Sequence, residues 1–201
     1  LALYANLGKW SAAVKYEFKM ATELEIESAP VSANDAVINS LFPNGTKVKS
    51  ETPALLSVAL SRQCGPVKVT AEWHEYFDKD AQNSFSSAVA GNTMEYLLGL
   101  EWQVCKKLML SAGVQRTQTD LIANNYSDMN FLTPSTSVGF GVAYNFSEKI
   151  RLNVGIMPTF YDKVESVTIA PLGATKYASI DVYDRTSLAW GIGLDFHFGK
   201  K

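Results

Sequence analysis

The sequence predicts an all-β fold, an antiparallel up-and-down transmembrane β-barrel of about eight strands. Three observations carry that expectation. Large apolar residues alternate with small or polar ones along one stretch after another. A period of two belongs to strands with one apolar and one polar face. The connections alternate strictly between short and long, the layout of a barrel with tight turns at one end and loops at the other. Aromatic residues of the apolar face gather near both ends of the stretches, where a bilayer meets water.

The last stretch is the clearest. From Ser187 to Phe198 every second residue is large and apolar: Leu188, Trp190, Ile192, Leu194, Phe196 and Phe198. Between them stand Ser187, Ala189, Gly191, Gly193, Asp195 and His197. A face of Ser, Ala and Gly is too small for the charged exterior of a soluble sheet, and it suits a barrel interior.

The other stretches follow in order. Trp10, Ala12, Val14, Tyr16 and Phe18 oppose Ser11, Ala13, Lys15 and Glu17, and the alternation runs on through Met20, Thr22, Leu24 and Ile26. A second strand spans 47–61, with Leu56, Val58 and Leu60 outward and a bulge or break expected at Pro53. The third, 67–77, sets Val67, Val69, Ala71 and Trp73 against Lys68, Thr70, Glu72 and His74. The fourth, 93–104, sets Tyr96, Leu98, Leu100 and Trp102 against Glu95, Gly99 and Glu101.

The fifth, 108–119, sets Leu108, Leu110, Ala112 and Val114 against Met109, Ser111, Gly113 and Gln115. The sixth, 133–146, sets Val138, Phe140, Val142, Tyr144 and Phe146 against Ser137, Gly139, Gly141, Ala143 and Asn145. The seventh, 150–161, sets Ile150, Leu152, Val154, Ile156 and Phe160 against Arg151, Asn153, Gly155, Met157 and Thr159, with a bulge expected at Pro158. Long loops fall at 28–45, 78–92, 120–132 and 162–184. Trp10, Trp102, Phe146 and Phe198 form the aromatic belt at the short-turn end; Tyr16, Phe18, Tyr96 and Phe160 form the one at the loop end.

Composition narrows the classes. The formal net charge of −2 over 201 residues argues against a nucleic-acid partner. No apolar run of about 18 residues occurs, so no transmembrane helix is expected. Leu1-Ala2-Leu3-Tyr4 is no signal peptide and the chain has no initiator Met, so the simplest reading is that N-terminal sequence is missing. Cys64 and Cys105 fall in short turns on the same side of the sheet. Free thiols are the plainer reading, with a disulfide left open for an oxidising compartment.

Several features now resemble a known family. Gly8-Lys9-Trp10, then Val14-Lys15-Tyr16-Glu17-Phe18-Lys19 and an acidic run to Glu27, is similar to a hairpin arm of the outer-membrane long-chain fatty-acid transporters of the FadL/TodX type. So are Thr52-Pro53-Ala54-Leu55-Leu56, Ala71-Glu72-Trp73-His74-Glu75-Tyr76-Phe77 and the strand–turn run Ala143 to Ile150. The end of the chain, with Gly193, Phe196 and Phe198, resembles the C-terminal recognition strand of outer-membrane proteins, although Gly199-Lys200-Lys201 follow it. The resemblance implies the C-terminal part of a larger barrel of about fourteen strands, with Leu1 to Tyr4 as the end of a ninth strand here. No counterpart of the family's N-terminal hatch is present.

The resemblance implies passive transport of hydrophobic compounds such as long-chain fatty acids across the bacterial outer membrane. Long loops would be extracellular; short turns and C-terminus would be periplasmic. Partners would be the hydrophobic ligand, outer-membrane lipid, and barrel-assembly machinery through the strand ending at Phe198.

Binding roles come from the residues themselves. Inward Leu55, Leu97, Met109 and Met157 are candidates to line an apolar path, and inward Lys15, Lys19, Lys68 and Arg151 are candidate cations for a carboxylate. The competing reading pairs these cations with inward Glu17, Glu72, Glu95 and Glu101. No metal or cofactor is expected. His74 with Glu72 and His197 with Asp195 are the only acid–base pairs to note, and neither has an evident nucleophile partner, so no enzyme is expected. A small closed barrel of structural or adhesive role is the alternative.

Overall fold

The computed structural model describes residues 1–27, 43–82, 89–119, 133–172 and 175–198. The expected loops at 28–45, 78–92 and 120–132 lie wholly or partly outside these residues. The main sheet joins β1 (Ala2–Leu7), β2 (Trp10–Glu17), β5 (Leu55–Cys64), β6 (Val67–Tyr76), β7 (Thr93–Gln103), β8 (Leu108–Gln118), β9 (Ser135–Asn145), β10 (Ile150–Tyr161) and β13 (Thr186–Phe196). Their spatial order is their chain order, and each pair is antiparallel. Among the described residues the sheet has nine strands, the expected ninth being the six-residue β1 at the start of the chain.

Turn chemistry explains the tight end. Gly8 and Gly65 have φ of 72° and 61°, and each is the first residue of a two-residue hairpin loop. A type II′ turn places glycine there and matches the twist of the flanking strands. Cys64 and Cys105 are exposed free thiols.

The two faces are the inverse of a soluble sheet. On the apolar face, Leu98 is 53% exposed, Phe140 55% and Trp190 74%. The residues that are buried include Ser135, Ser137, Ala143 and Thr159, all on the small and polar face. A hollow of about 810 Å³, open on one side, lies on this small-residue face, lined by Glu72, Gly99, Ser111, Gly139 and Met157, so this face is the concave one. An apolar convex face this continuous needs a nonpolar surrounding. The six strands from β5 to β10 hold 10 to 12 residues each, about the length a tilted strand needs to cross a bilayer. No helix among the described residues is long and apolar enough to cross a membrane.

The two prolines expected to disturb strands, Pro53 and Pro158, differ in effect. Beyond β2 the chain stays extended: Met20 bridges Thr52, and β3 (Glu23–Glu25) pairs with β4 (Lys47–Lys49), all in the register that β2 and β5 set. The arm interrupts near Pro53, as expected. At Pro158 the expected bulge is absent. The β10 register against β9 and β13 is unchanged on both sides of it. Even-numbered residues of β10 bond towards β9, as Asp162 N does to Pro134 O at 2.7 Å. Pro158 therefore drops its bond on that side, and the ladder loses the Met157 and Pro158 pairs without shifting.

The connection from 162 to 184 contains a hairpin, β11 (Val164–Leu172) with β12 (Thr175–Tyr183), outside the main sheet. At the same end, Lys19 Nζ donates to Glu51 Oε2 at 2.9 Å and to Asp80 O at 3.1 Å, while Gln82 N donates to Glu51 at 2.8 Å. The Gln82 N–H, then Lys19, hold the Glu51 carboxyl below its ordinary range. This latch ties the β4–β5 arm to the segment after β6.

β1 and β13 are the two edges and do not pair with each other. With nine antiparallel neighbours the first and last strands run in the same direction. Direct closure would need a parallel seam, whereas single-chain bacterial barrels hold an even number of antiparallel strands.

Candidate functional site

The concave face is the candidate site, and register places its residues in rows across the strands. One row runs Lys15, Ser57, His74, Glu95, Thr117, Ser135. Directly opposed residues in an antiparallel pair share a face and sit close enough to interact. Glu95 is the hub. Its Oε1 accepts from Gln115 Nε2 at 2.9 Å and from Thr117 Oγ1 at 3.3 Å. Its Oε2 lies 3.2 Å from His74 Nδ1 and accepts from the Tyr76 hydroxyl at 3.5 Å. The other ring nitrogen of His74 lies 3.4 Å from Glu72. Nearby, Ser137 and Thr159 hydroxyls bond at 2.8 Å. A half-buried carboxylate with this many partners is a satisfied wall element.

Towards the short-turn end the wall loses its side chains. Gly99, Gly113 and Gly139 stand in one row, and Gly141, Gly155 and Gly191 in the next. They floor the hollow, together with Lys68, Glu101, Asn153 and Met157. At Gly141 an added Cβ would overlap Ser111 Oγ, which a turn of the Ser111 side chain relieves, whereas at Gly113 it would stand 3.2 Å from the backbone oxygen of Leu98. At Gly139, Gly191 and Gly193 the space is open. Gly113→Ala is therefore expected to destabilise the protein by about 1 kcal/mol, the low end for overpacking, while Gly141→Ala is expected to cost less because Ser111 can change rotamer. Gly193→Ala should be close to neutral. Denaturant titration of the intact protein in vesicles checks all three.

The six residues nominated from sequence all lie on this face, in three separate places. Lys15 and Leu55 sit near the loop end of β2 and β5, with Lys15 Nζ on Glu17 at 2.8 Å. Leu97 and Met157 line one small recess of about 220 Å³ with Gln115 and Ser137. Met109 and Arg151 meet near the short turns, where Arg151 Nη2 lies 3.9 Å from Met109 Sδ. The structure does not gather the six into a single pocket.

Of the other cations, Lys68 reaches Glu101 at 3.8 Å, and Lys19 takes Glu51, a partner the sequence did not single out. The sequence also missed Gln115, Thr117 and Tyr76 around Glu95. Only the β6–β7 and β7–β8 registers reveal them. Among the described residues no group of His, Cys, Asp and Glu is arranged to hold a metal ion.

Of the expected belts, Trp10, Trp102, Phe146 and Phe198 are exposed near the short turns and Phe18, Tyr96 and Phe160 near the loops, while Tyr16 is only half-exposed, its ring 5.1 Å from that of Phe18. The Arg62 guanidinium lies over the Trp10 ring at 4.9 Å. At the loop end Arg116 Nη1 donates to Asp162 at 2.9 Å, which holds the Asp162 carboxyl below its ordinary range.

The fold is similar to two solved structures. A Pseudomonas aeruginosa FadL homologue superposes with a TM-score of 0.71 and 12% identity, over 95% of this chain and 50% of that one. The P. putida toluene transporter TodX superposes with a TM-score of 0.58 and 14% identity, over 98% of this chain and 48% of that one. This chain thus has the fold of part of such a barrel and spans about half the length of the structures it matches. No protein-family model and no curated protein matches it.

Proposed function

We propose that this chain is the C-terminal part of a bacterial outer-membrane barrel that carries hydrophobic compounds, long-chain fatty acids among them, by passive diffusion. The observation that carries the reading is the inversion of the sheet: exposed Leu, Ile, Phe and Trp outside, buried Ser, Thr and Ala around a hollow inside. Likeness of fold to a FadL homologue and a toluene transporter supports it. Both neighbours are named for transport or a transport family, which fits a chain that is no enzyme.

In this reading the long connections face the extracellular side, and the short turns and the end of β13 face the periplasm. Outer-membrane lipid contacts the convex face, and the strand ending at Phe198 is what the assembly machinery grips. Lys15, Leu55, Leu97, Met109, Arg151 and Met157 are the ligand-facing residues of this half of the wall. A small closed structural barrel is disfavoured by the unpaired, like-directed edges β1 and β13.

The test is uptake of radiolabelled oleate into vesicles carrying the intact protein. The expected result is transfer down the concentration gradient, faster than in protein-free vesicles and needing no energy source. Equal rates with and without protein contradict the reading.

A further inference from the structure

The convex face is nearly free of charge. Along the strands of the main sheet it carries Arg62 in β5, Glu75 in β6 and Arg116 in β8, and no other charged residue among the described residues. Register fixes these places: Arg62 pairs with Trp10, Glu75 with Leu56 and Arg116 with Tyr96. At the loop end Glu75 accepts from Asn92 Nδ2 at 2.9 Å, and Arg116 Nη1 donates to Asp162 at 2.9 Å.

Arg62 stands at the other end, near the short turns, and no acid answers it. Among the described residues it forms no ion pair. Its guanidinium lies over the Trp10 ring at 4.9 Å. Across the next strand it faces Val69, and Leu60, two residues along the same face, is exposed. The acids of this end are elsewhere. Glu101 and Asp195 are on the concave face, where Lys68 reaches the first at 3.8 Å and Asn153 Nδ2 donates to the second at 2.8 Å. Glu148 is across the sheet, in the turn between β9 and β10. The nearest further charge has the same sign: Lys9 is exposed, and its carbonyl accepts from Gln63 N at 2.8 Å, one residue from Arg62.

We infer that Arg62, held by Trp10, is a binding site for the phosphate of an anionic phospholipid in the leaflet beside the short turns, with Lys9 adding attraction. The inference rests on the membrane placement above and is independent of what the barrel carries. A cation on a lipid-facing surface is costly unless it meets an anion or water at the interface. Trp10 belongs to the aromatic belt, which marks that depth, and phosphate is the anion a phospholipid presents there. A guanidinium offers N–H donors in a planar fork that matches phosphate oxygens. Stacking on an indole restrains the fork and leaves its edge free to donate. Exposed Leu7 and Leu60 give the acyl chains an apolar surface beside it.

The experiment uses the intact protein, stripped of lipid in a neutral detergent and offered equal amounts of phosphatidylglycerol and phosphatidylcholine with the same acyl chains. Native mass spectrometry reads the first lipid bound. The wild type is expected to prefer phosphatidylglycerol by about tenfold, the scale of one charged hydrogen bond. Arg62→Gln should bring the two lipids to within about twofold of each other, and Arg62→Lys, which keeps the charge, should retain part of the preference. No preference in the wild type, or an undiminished one in Arg62→Gln, overturns the inference. Should Arg62→Gln fail to assemble, Trp10→Leu replaces it and is expected to lower the preference by about threefold, the scale of a cation–π contact; an unchanged preference overturns the inference. Flotation with phosphatidylcholine vesicles separates the two readings. A wild type that floats but shows no lipid preference contradicts this inference alone, whereas one that does not enter vesicles removes the membrane placement as well.

Discussion

Ile156→Arg is expected to destabilise the membrane-embedded protein by about 2–4 kcal/mol, the cost of a cation on the lipid face near mid-membrane. Ile156 lies in the middle of β10, with Phe140 on one side and Trp190 on the other, and it is 46% exposed on the convex face. Mid-strand, an arginine there has no aqueous rim within reach and no acid beside it in the row of Leu100, Ala112, Phe140 and Trp190. The adjacent residue supplies the control. Met157 points to the other face and lines the hollow, so Met157→Arg is expected to cost under about 1 kcal/mol, because the lumen side tolerates charge. Denaturant unfolding of the intact protein in vesicles reads both. Equal costs at 156 and 157, or a larger cost at 157, contradict the assignment of faces.

That assignment was legible in the sequence because a period of two leaves no freedom. Once Trp190, Ile192 and Leu194 face one way, Ala189, Gly191 and Gly193 must face the other. The tight turns were equally legible, since Gly8-Lys9 and Gly65-Pro66 fix both the turn and the register of the strands they join. Register across a long connection is a different matter. Nothing in the residues from 77 to 92 states how β6 aligns with β7, so neither the His74–Glu95 contact nor the Lys68–Glu101 pair follows from sequence alone. Lys15–Glu17 follows, because it lies along one strand face.

Two segments were read too sparingly for opposite reasons. β1 offers only Ala2 to Leu7, too few residues for its alternation to stand out. The β11–β12 hairpin does carry a signal, with Val167 opposite Ile180, but it sits between mixed polar residues and Pro171 in what its length marks as a loop. The bulge expected at Pro158 overstated what proline does: it removes a donor, and here the neighbouring pairs hold the register without it. Alternation alone put the candidate residues on one face of the sheet. Their separation into three places depended on strand stagger, which alternation does not encode.

The central claim is that these strands form an open wall within a larger hydrophobic-transport barrel. An unpaired strand edge cannot face lipid, because each unbonded backbone group costs several kcal/mol there, so this account gives β1 and β13 each another neighbour. The direct test is disulfide cross-linking in the intact protein in outer membranes, with Cys64 and Cys105 replaced by Ser. Ala13→Cys with Ala59→Cys, directly paired on the inner face, should cross-link efficiently and report a native sheet. Cysteines at Tyr4 and at each of Ala189, Gly191 and Gly193, on the inner faces of the two edge strands, should not cross-link in that same sheet. Efficient β1–β13 cross-linking would mean a small closed barrel and would contradict the account.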